Sequence, residues 1–366
     1  MTTLHALHDQ GGQSPWLDNL RRDALASGEL ERLVAAGIRG VTSNPTIFQR
    51  SVLSGSDYDD QLRSLLAAGR SIDDAYWDMA ITDVTAALDL LHPLYAESGG
   101  ADGFVSIEVA GSVAHDLVAS LRSARWLHDR IARPNLLVKI PATDEGIPAI
   151  RQLTAEGRSI NVTLIFGIDR YAEVIEAYLS GLEAREGDLS AIHSVASFFL
   201  SRVDVEIDRR LEEIGSPSAL SLRGRAAIAQ AELAYGLFRQ SFSGPRWQRL
   251  ARRGARVQRP LWASTSTKNP AYPDLLYVTG LVAPDTVNTM TEATISAFRD
   301  HGTVGTGVGA GAAAARETLG TLRSLGIDLA EVSRTLEEQG VQLFVRAFDD
   351  VLGAIRRKVG LGRSAA

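Results

Sequence analysis

Residues 136–143 read Leu-Leu-Val-Lys-Ile-Pro-Ala-Thr, an apolar run interrupted by a single lysine. Branched aliphatics at 136, 137, 138 and 140 are what a strand needs when both its faces are buried, as in a parallel sheet covered by helices. Residues 146–155 then place apolar positions at helical spacing, and 159–166 return to a strand-like run, Ser-Ile-Asn-Val-Thr-Leu-Ile-Phe. Strand, helix and strand within about thirty residues is the signature of a βαβ unit.

The pattern extends in both directions. Further strand candidates lie at 15–18, 40–43, 104–109, 191–198, 260–265 and 286–290, with amphipathic stretches at 169–186 and 201–214. Eight strands separated largely by helical sequence predict an α/β fold, a single (β/α)8 TIM barrel. A plain barrel needs about 250 residues, so this 366-residue chain has material left over. Residues 55–97 read as helices inserted after strand 2, strongest over 73–91, and 312–358 as two or three more. Within that tail, 341–355 is amphipathic, with Leu343, Phe344, Phe348, Val351 and Leu352 in one stripe expected to pack on the core, a lid being the alternative. The expectation is one domain over 1–366 with a helical extension from about 312.

Composition narrows the function. Hydrophobic residues are 45% and charged residues 22%, ordinary for a globular chain, and the net charge of −6 disfavours nucleic acid or an anionic membrane as partner. The absence of cysteine removes thiolate chemistry, disulfides and iron–sulfur ligation. The start MTTLHALHDQ lacks a signal-peptide pattern and no apolar run reaches membrane-spanning length, so a cytoplasmic location is expected. Of 38 basic residues only Lys139, Lys268 and Lys358 are lysines. Arginine stays protonated at any working pH, whereas a desolvated lysine can become an amine nucleophile. A lysine retained inside an apolar strand therefore raises a chemical question.

Polar residues recur late in the runs: Asp18, Asn44, Glu108, Lys139, Asn161, Thr163, Ser197, Ser264 and Lys268. In parallel strands such positions converge on the C-terminal mouth of a barrel, where barrel active sites lie. Taken singly, an Asp, Asn or Ser there reads equally as a turn or helix cap. Glu108 and Lys139 interrupt apolar runs and are harder to explain so, although a buried Lys139–Glu108 salt bridge would account for both without chemistry.

The strings GVTSNPTIF, VSIEV, LLVKIPAT, SINVTLIF, SFFLSRVD and LWASTSTKNP, running in order between about Gln13 and Gly302, resemble those of transaldolases, in particular the longer bacterial subfamily. The resemblance implies that Lys139 forms a Schiff base with a ketose. It implies that Asp18 takes and returns a proton during carbon–carbon cleavage, and that Glu108 and Thr163 hold and activate a water. Asn44 and Asn161 would contact the three-carbon unit, and Ser197, Arg202, Ser264 and Lys268 the sugar phosphate. The implied reaction moves a dihydroxyacetone unit from sedoheptulose 7-phosphate to glyceraldehyde 3-phosphate, giving erythrose 4-phosphate and fructose 6-phosphate in the pentose phosphate pathway.

No metal and no cofactor are implied, and the seven histidines show no metal-ligand spacing. The expected partners are sugar phosphates, with the protein a monomer or homodimer. The sequence departs from the family at Ala110-Gly111-Ser112, where an Asp or Pro followed by Arg is expected, and at Lys268, where relatives carry arginine. Rival readings are a fructose 6-phosphate aldolase with the same imine, a sugar-phosphate-binding barrel without catalysis, and a nucleotide-binding loop at Gly307–Ala312, a G-x-G-x-x-A match.

Overall fold

The structure, a computed structural model, describes residues 3–43, 48, 51–52, 55–305 and 307–364. Eight parallel strands close into a barrel in sequential order. They are β1 (Gln13–Leu17), β2 (Gly40–Thr42), β3 (Phe104–Glu108), β4 (Leu136–Pro141), β5 (Ile160–Ile165), β6 (Ser194–Phe199), β7 (Arg259–Ala263) and β8 (Thr286–Met290). β8 pairs with β1 over five residues, Gln13 with Thr286 through Leu17 with Met290, which closes the ring. Every expected strand is present, with ends differing by up to three residues.

Strand alternation sorts the side chains into two populations. Outward-facing Val138, Ile140, Val162, Ile165, Ala196 and Phe198 join the large core under the helices. Inside the barrel, Trp16, Phe104, Leu137, Val195, Leu261 and Val287 form a separate apolar plug. Gly40 is part of this plug by subtraction, because a Cβ there would fall 2.4 Å from the Trp16 ring. Below the plug, at the N-terminal end of the strands, Asp102 accepts from Ser14 Oγ at 2.6 Å and pairs with Arg39 at 2.5 Å and Arg259 at 3.4 Å. The floor is thus sealed by apolar packing over a satisfied ionic cluster, and the upper layer is left for polar groups.

The additional helices fall where the sequence placed them. Asp59–Ala67 and Ile72–Glu97 follow β2, and Ala312–Ser324 and Leu329–Ser364 follow the barrel. The last is one continuous helix of 36 residues, about 54 Å long at 1.5 Å per residue. Its stripe differs from expectation in one member. Val351 and Leu352 are buried and Phe344 and Phe348 half-buried, but Leu343 is 45% exposed. Position 343 is turned from the barrel by the helix rotation that directs Phe344 toward it.

The glycine-rich loop before residue 312 follows the helix Glu292–His301 and no strand. The N–H groups of Gly309 and Gly311 donate to the two Glu232 carboxylate oxygens at 2.8 and 2.7 Å. An internal carboxylate therefore occupies the donors that a nucleotide phosphate would need, which disposes of that rival reading.

Two of the histidines are structural. Burial pulls His193 down to about 3, with Arg256 and Arg259 adding to the effect, and pulls His128 down to about 4, with Arg158 adding. Both are neutral in the folded chain and bind a proton near pH 6.5 once unfolded. The unfolded state then holds more protons at acid pH, so their stabilisation is complete above about pH 6.5 and is lost as pH falls toward 4 and 3. Stability should decline by about 1.4 kcal/mol per pH unit for each histidine in that window. Urea midpoints at pH 7 and pH 5 check this, and His193→Phe should flatten the profile by its share.

Candidate active site

The polar layer above the plug is assembled by strand register. Glu108 of β3 stands opposite Lys139 of β4, which stands opposite Asn161 of β5, and Pro141 opposite Thr163. Lys139 Nζ lies 3.2 Å from Glu108 Oε2, with side chains 10% and 3% exposed. Asn161 donates through Nδ2 to Ser106 Oγ at 3.0 Å and accepts from Ser197 Oγ at 2.7 Å, which bridges β3, β5 and β6. A bulge between Val162 and Ile165, with Leu164 at φ +60°, turns the chain immediately after Thr163. Residues far apart in sequence thus meet at one height in the barrel.

The Lys139–Glu108 ion pair anticipated as a purely structural alternative is present, but it does not satisfy its own members. Both Glu108 oxygens and Thr163 Oγ1 are buried without an aligned hydrogen-bond partner among the described residues. A salt bridge serving only the fold would be expected to fill its remaining lone pairs, since unsatisfied buried acceptors are costly. Burial pushes the Glu108 carboxyl above the ordinary glutamate range. The Lys139 charge opposes that shift and the Asp18 charge adds to it. The site therefore holds a strongly desolvated acid–amine pair with spare acceptors beside it.

Asp18 lies one residue past β1 and accepts a 2.7 Å hydrogen bond from Thr42 Oγ1 of β2. The loop that follows is held by Asn19 Nδ2 donating to Glu292 at 2.7 Å and by Arg22 paired with Asp83 at 2.7 Å. A cleft of about 550 Å³ opens beside Asp18, lined also by Asn19, Arg21, Ser51, Thr291 and Glu292. On the far side of the barrel, Arg202 stands in the first turn of the helix Ser201–Ile214, its guanidinium 5.5 Å from the Phe166 ring centroid. It has no carboxylate partner among the described residues, and burial lowers its pKa from the usual arginine value. Ser264, at φ +56°, joins β7 to this helix through a 2.8 Å contact between its Oγ and that of Ser201.

A family model described as transaldolase/fructose-6-phosphate aldolase matches residues 15–355. The chain belongs to that family. Among its relatives, a transaldolase of Mycolicibacterium smegmatis is 51% identical over 348 residues, 94% of each chain. One of Frankia alni is 49% identical over 354 residues, 95% of each chain. One of Thermobifida fusca is 48% identical over 361 residues, 97% of this chain and 98% of the relative.

For a member of the transaldolase/fructose-6-phosphate aldolase family, the placement of the expected residues divides clearly. Asp18, Glu108, Lys139, Thr163 and Ser197 lie at or just beyond the later half of their strands, at the barrel mouth. Asn161 is the second residue of β5 and reaches the same layer by its register opposite Lys139. Arg202 and Ser264 stand at the rim. Lys268 is exposed on the loop after β7 and makes no hydrogen bond or ion pair with the described residues. Asn44 lies outside the described residues.

The sequence reading missed Thr42 and Ser106, which orient Asp18 and Asn161. Both sit in runs already read as strands, and Ser106 is two positions before Glu108, hence on the same face. The spacing could have found it. The Ala110-Gly111-Ser112 departure also acquires a reason. A Cβ on Gly111 would lie 2.6 Å from Val345 N and 2.8 Å from Phe344 C, so this loop is trimmed to admit the backbone of the last helix. Among the described residues no three His, Asp or Glu side chains are placed to share a metal ion, and no helix is long and apolar enough to cross a membrane.

Proposed function

We propose that this chain is a transaldolase: it moves a dihydroxyacetone unit between sugar phosphates through an imine on Lys139. The observation that carries the reading is the buried Lys139–Glu108 pair at 3.2 Å, whose carboxylate oxygens, like the nearby Thr163 hydroxyl, have no aligned partner among the described residues. Membership of the family and about 50% identity to relatives named transaldolase support it over nearly the whole chain.

Breaking a carbon–carbon bond next to a carbinol requires an electron sink. Lys139, as the neutral amine, attacks the ketose carbonyl and loses water to give a protonated imine. Glu108 exchanges the protons of that step through a water that Thr163 helps to hold, its raised carboxyl range suiting it to give as well as take. Asp18 removes the proton from the C4 hydroxyl, the C3–C4 bond breaks into the iminium, and the aldose phosphate leaves. The carbanion on Lys139 then attacks the carbonyl of an incoming aldose phosphate, Asp18 returns the proton, and hydrolysis frees the new ketose. Asn161, oriented by Ser106 and Ser197, faces the hydroxyls of the three-carbon unit; the family resemblance gives Asn44 a contact to the same hydroxyls.

Arg202, without an ion-pair partner among the described residues and at a helix N-terminus, takes the phosphate with Ser197, Ser264 and Lys268 around it. The donor and acceptor of this reading are sedoheptulose 7-phosphate and glyceraldehyde 3-phosphate. Borohydride reduction in the presence of fructose 6-phosphate, followed by peptide mapping, should leave a stable three-carbon or six-carbon adduct on Lys139. No adduct, or one confined to Lys268 or Lys358, would remove the basis of the reading.

A further inference from the structure

The last helix, Leu329–Ser364, crosses the barrel mouth and is seated there by small residues. At its start Glu331 pairs with Arg210, and a Cβ on Gly167 would meet Ser333 Oγ at 2.9 Å. In the middle, a Cβ on Gly340 would meet Leu164 Cδ2 at 2.8 Å, next to Thr163, and Gly111 is pressed against the backbone of Phe344 and Val345. Near its end Lys358 Nζ donates to Val52 O and Gly55 O at 2.8 and 2.6 Å, which ties the helix to the loop after β2. These contacts fix the height of the helix over the site.

That seating carries Phe344 over the reacting amine. Lys139 Nζ lies 6.0 Å from the centroid of the Phe344 ring. Phe344 and Phe348, with Tyr76, close on Glu108, Ala110 and Gly111, and the space left among them is about 10 Å³. One water needs at least about 10–15 Å³ of such space, so the gap beneath these rings admits one water at most. The spare acceptors of Glu108 and the hydroxyl of Thr163 give water a place on the polar side, but the helix side is closed by a hydrocarbon ring.

We propose that Phe344 is a positioning residue that keeps bulk water, beyond the one held by Glu108 and Thr163, from reaching the Lys139 adduct from the helix side, so that the three-carbon unit is transferred faster than it is released. The inference rests on the imine reading above. After the aldose departs, the enamine on Lys139 has two fates. Attack on an aldose forms a new carbon–carbon bond. Alternatively the carbanion takes a proton, water adds to the iminium carbon, the C–N bond breaks, and free dihydroxyacetone leaves with the amine regenerated; that water replaces the one lost when the imine formed. Excluding water from a reactive intermediate suppresses the second route. Shortening Phe344 to alanine removes a whole ring from a gap that has no slack and opens it to solvent.

The partition ratio, free dihydroxyacetone formed per sedoheptulose 7-phosphate formed with fructose 6-phosphate as donor and erythrose 4-phosphate as acceptor, reads this directly. It counts only events on folded, imine-forming enzyme, so a loss of folded protein does not move it. Phe344→Ala should raise the ratio by about tenfold or more, and Phe344→Leu, which refills the gap, should return it most of the way. Gly111→Ala keeps the ring but pushes the helix backbone outward, and should raise the ratio as well.

A ratio in Phe344→Ala within about twofold of wild type, a Phe344→Leu variant as leaky as Phe344→Ala, or an unchanged Gly111→Ala would each overturn the proposal. Borohydride trapping of the wild type separates the two failures. A Lys139 adduct with an unmoved ratio removes only the role of Phe344, whereas no adduct removes the imine reading itself.

Discussion

Lys139→Arg is expected to reduce turnover to background, a loss of about 10⁶-fold or more for a typical enzyme. Arginine retains the positive charge beside Glu108 and so preserves the ion pair at 3.2 Å in kind. It cannot lose its proton in a protein and cannot become the nucleophile. The variant thus separates the two accounts of the buried pair. If the lysine served only to neutralise Glu108, arginine would replace it at the cost of some overpacking, about 1–3 kcal/mol. Measured activity above a few per cent of wild type would exclude imine formation at this position. Circular dichroism and the urea midpoint should show a folded barrel, since the plug beneath the site does not include Lys139.

Asp18→Asn is the second variant with a large expected effect. The amide keeps the size of the side chain and can still accept from Thr42 Oγ1, so the loop after β1 should hold its place. What is lost is the base for the C4 hydroxyl, and general acid–base catalysis of this kind contributes about 10²–10⁴-fold. The fall should appear in kcat, with little change in KM for the donor. Imine formation does not pass through Asp18, so borohydride should still trap a Lys139 adduct, now enriched in the uncleaved six-carbon form. A variant that retained wild-type kcat, or that lost the ability to form the adduct, would contradict the assigned role.

The barrel was legible because its strands are buried on both faces and so read as mainly apolar runs broken by single polar residues, with 136–140 and 159–166 the plainest. Strand ends were less so. Polar side chains such as Asp18 and Thr265 sit just outside the ladder, yet look in sequence like its last rungs. The acid–amine pair was legible for the opposite reason: Glu108 and Lys139 interrupt apolar sequence, and a charge in such a place needs a partner.

What the sequence did not reveal is the set of distances created by closure of the ring. Neither Thr42 against Asp18 nor Ser106 against Asn161 has any local signal, because each bond joins different strands. Phe344 was visible only as one apolar residue in an amphipathic stripe. Its position over Lys139 depends on Gly111 and Gly340 thinning two surfaces more than 200 residues apart in sequence.

Chain order gives the crossing helix a further consequence. Domains are made and fold from the N-terminus, at about 5–20 residues per second. β8 completes the ring at Met290, well before Leu329 begins the last helix. A nascent chain can therefore own a closed barrel, with its acid and amine in register, while the roof is still inside the ribosome. Such a chain would meet sugar phosphates with its reactive nitrogen uncovered. The order of synthesis makes selectivity for transfer the last property the protein acquires.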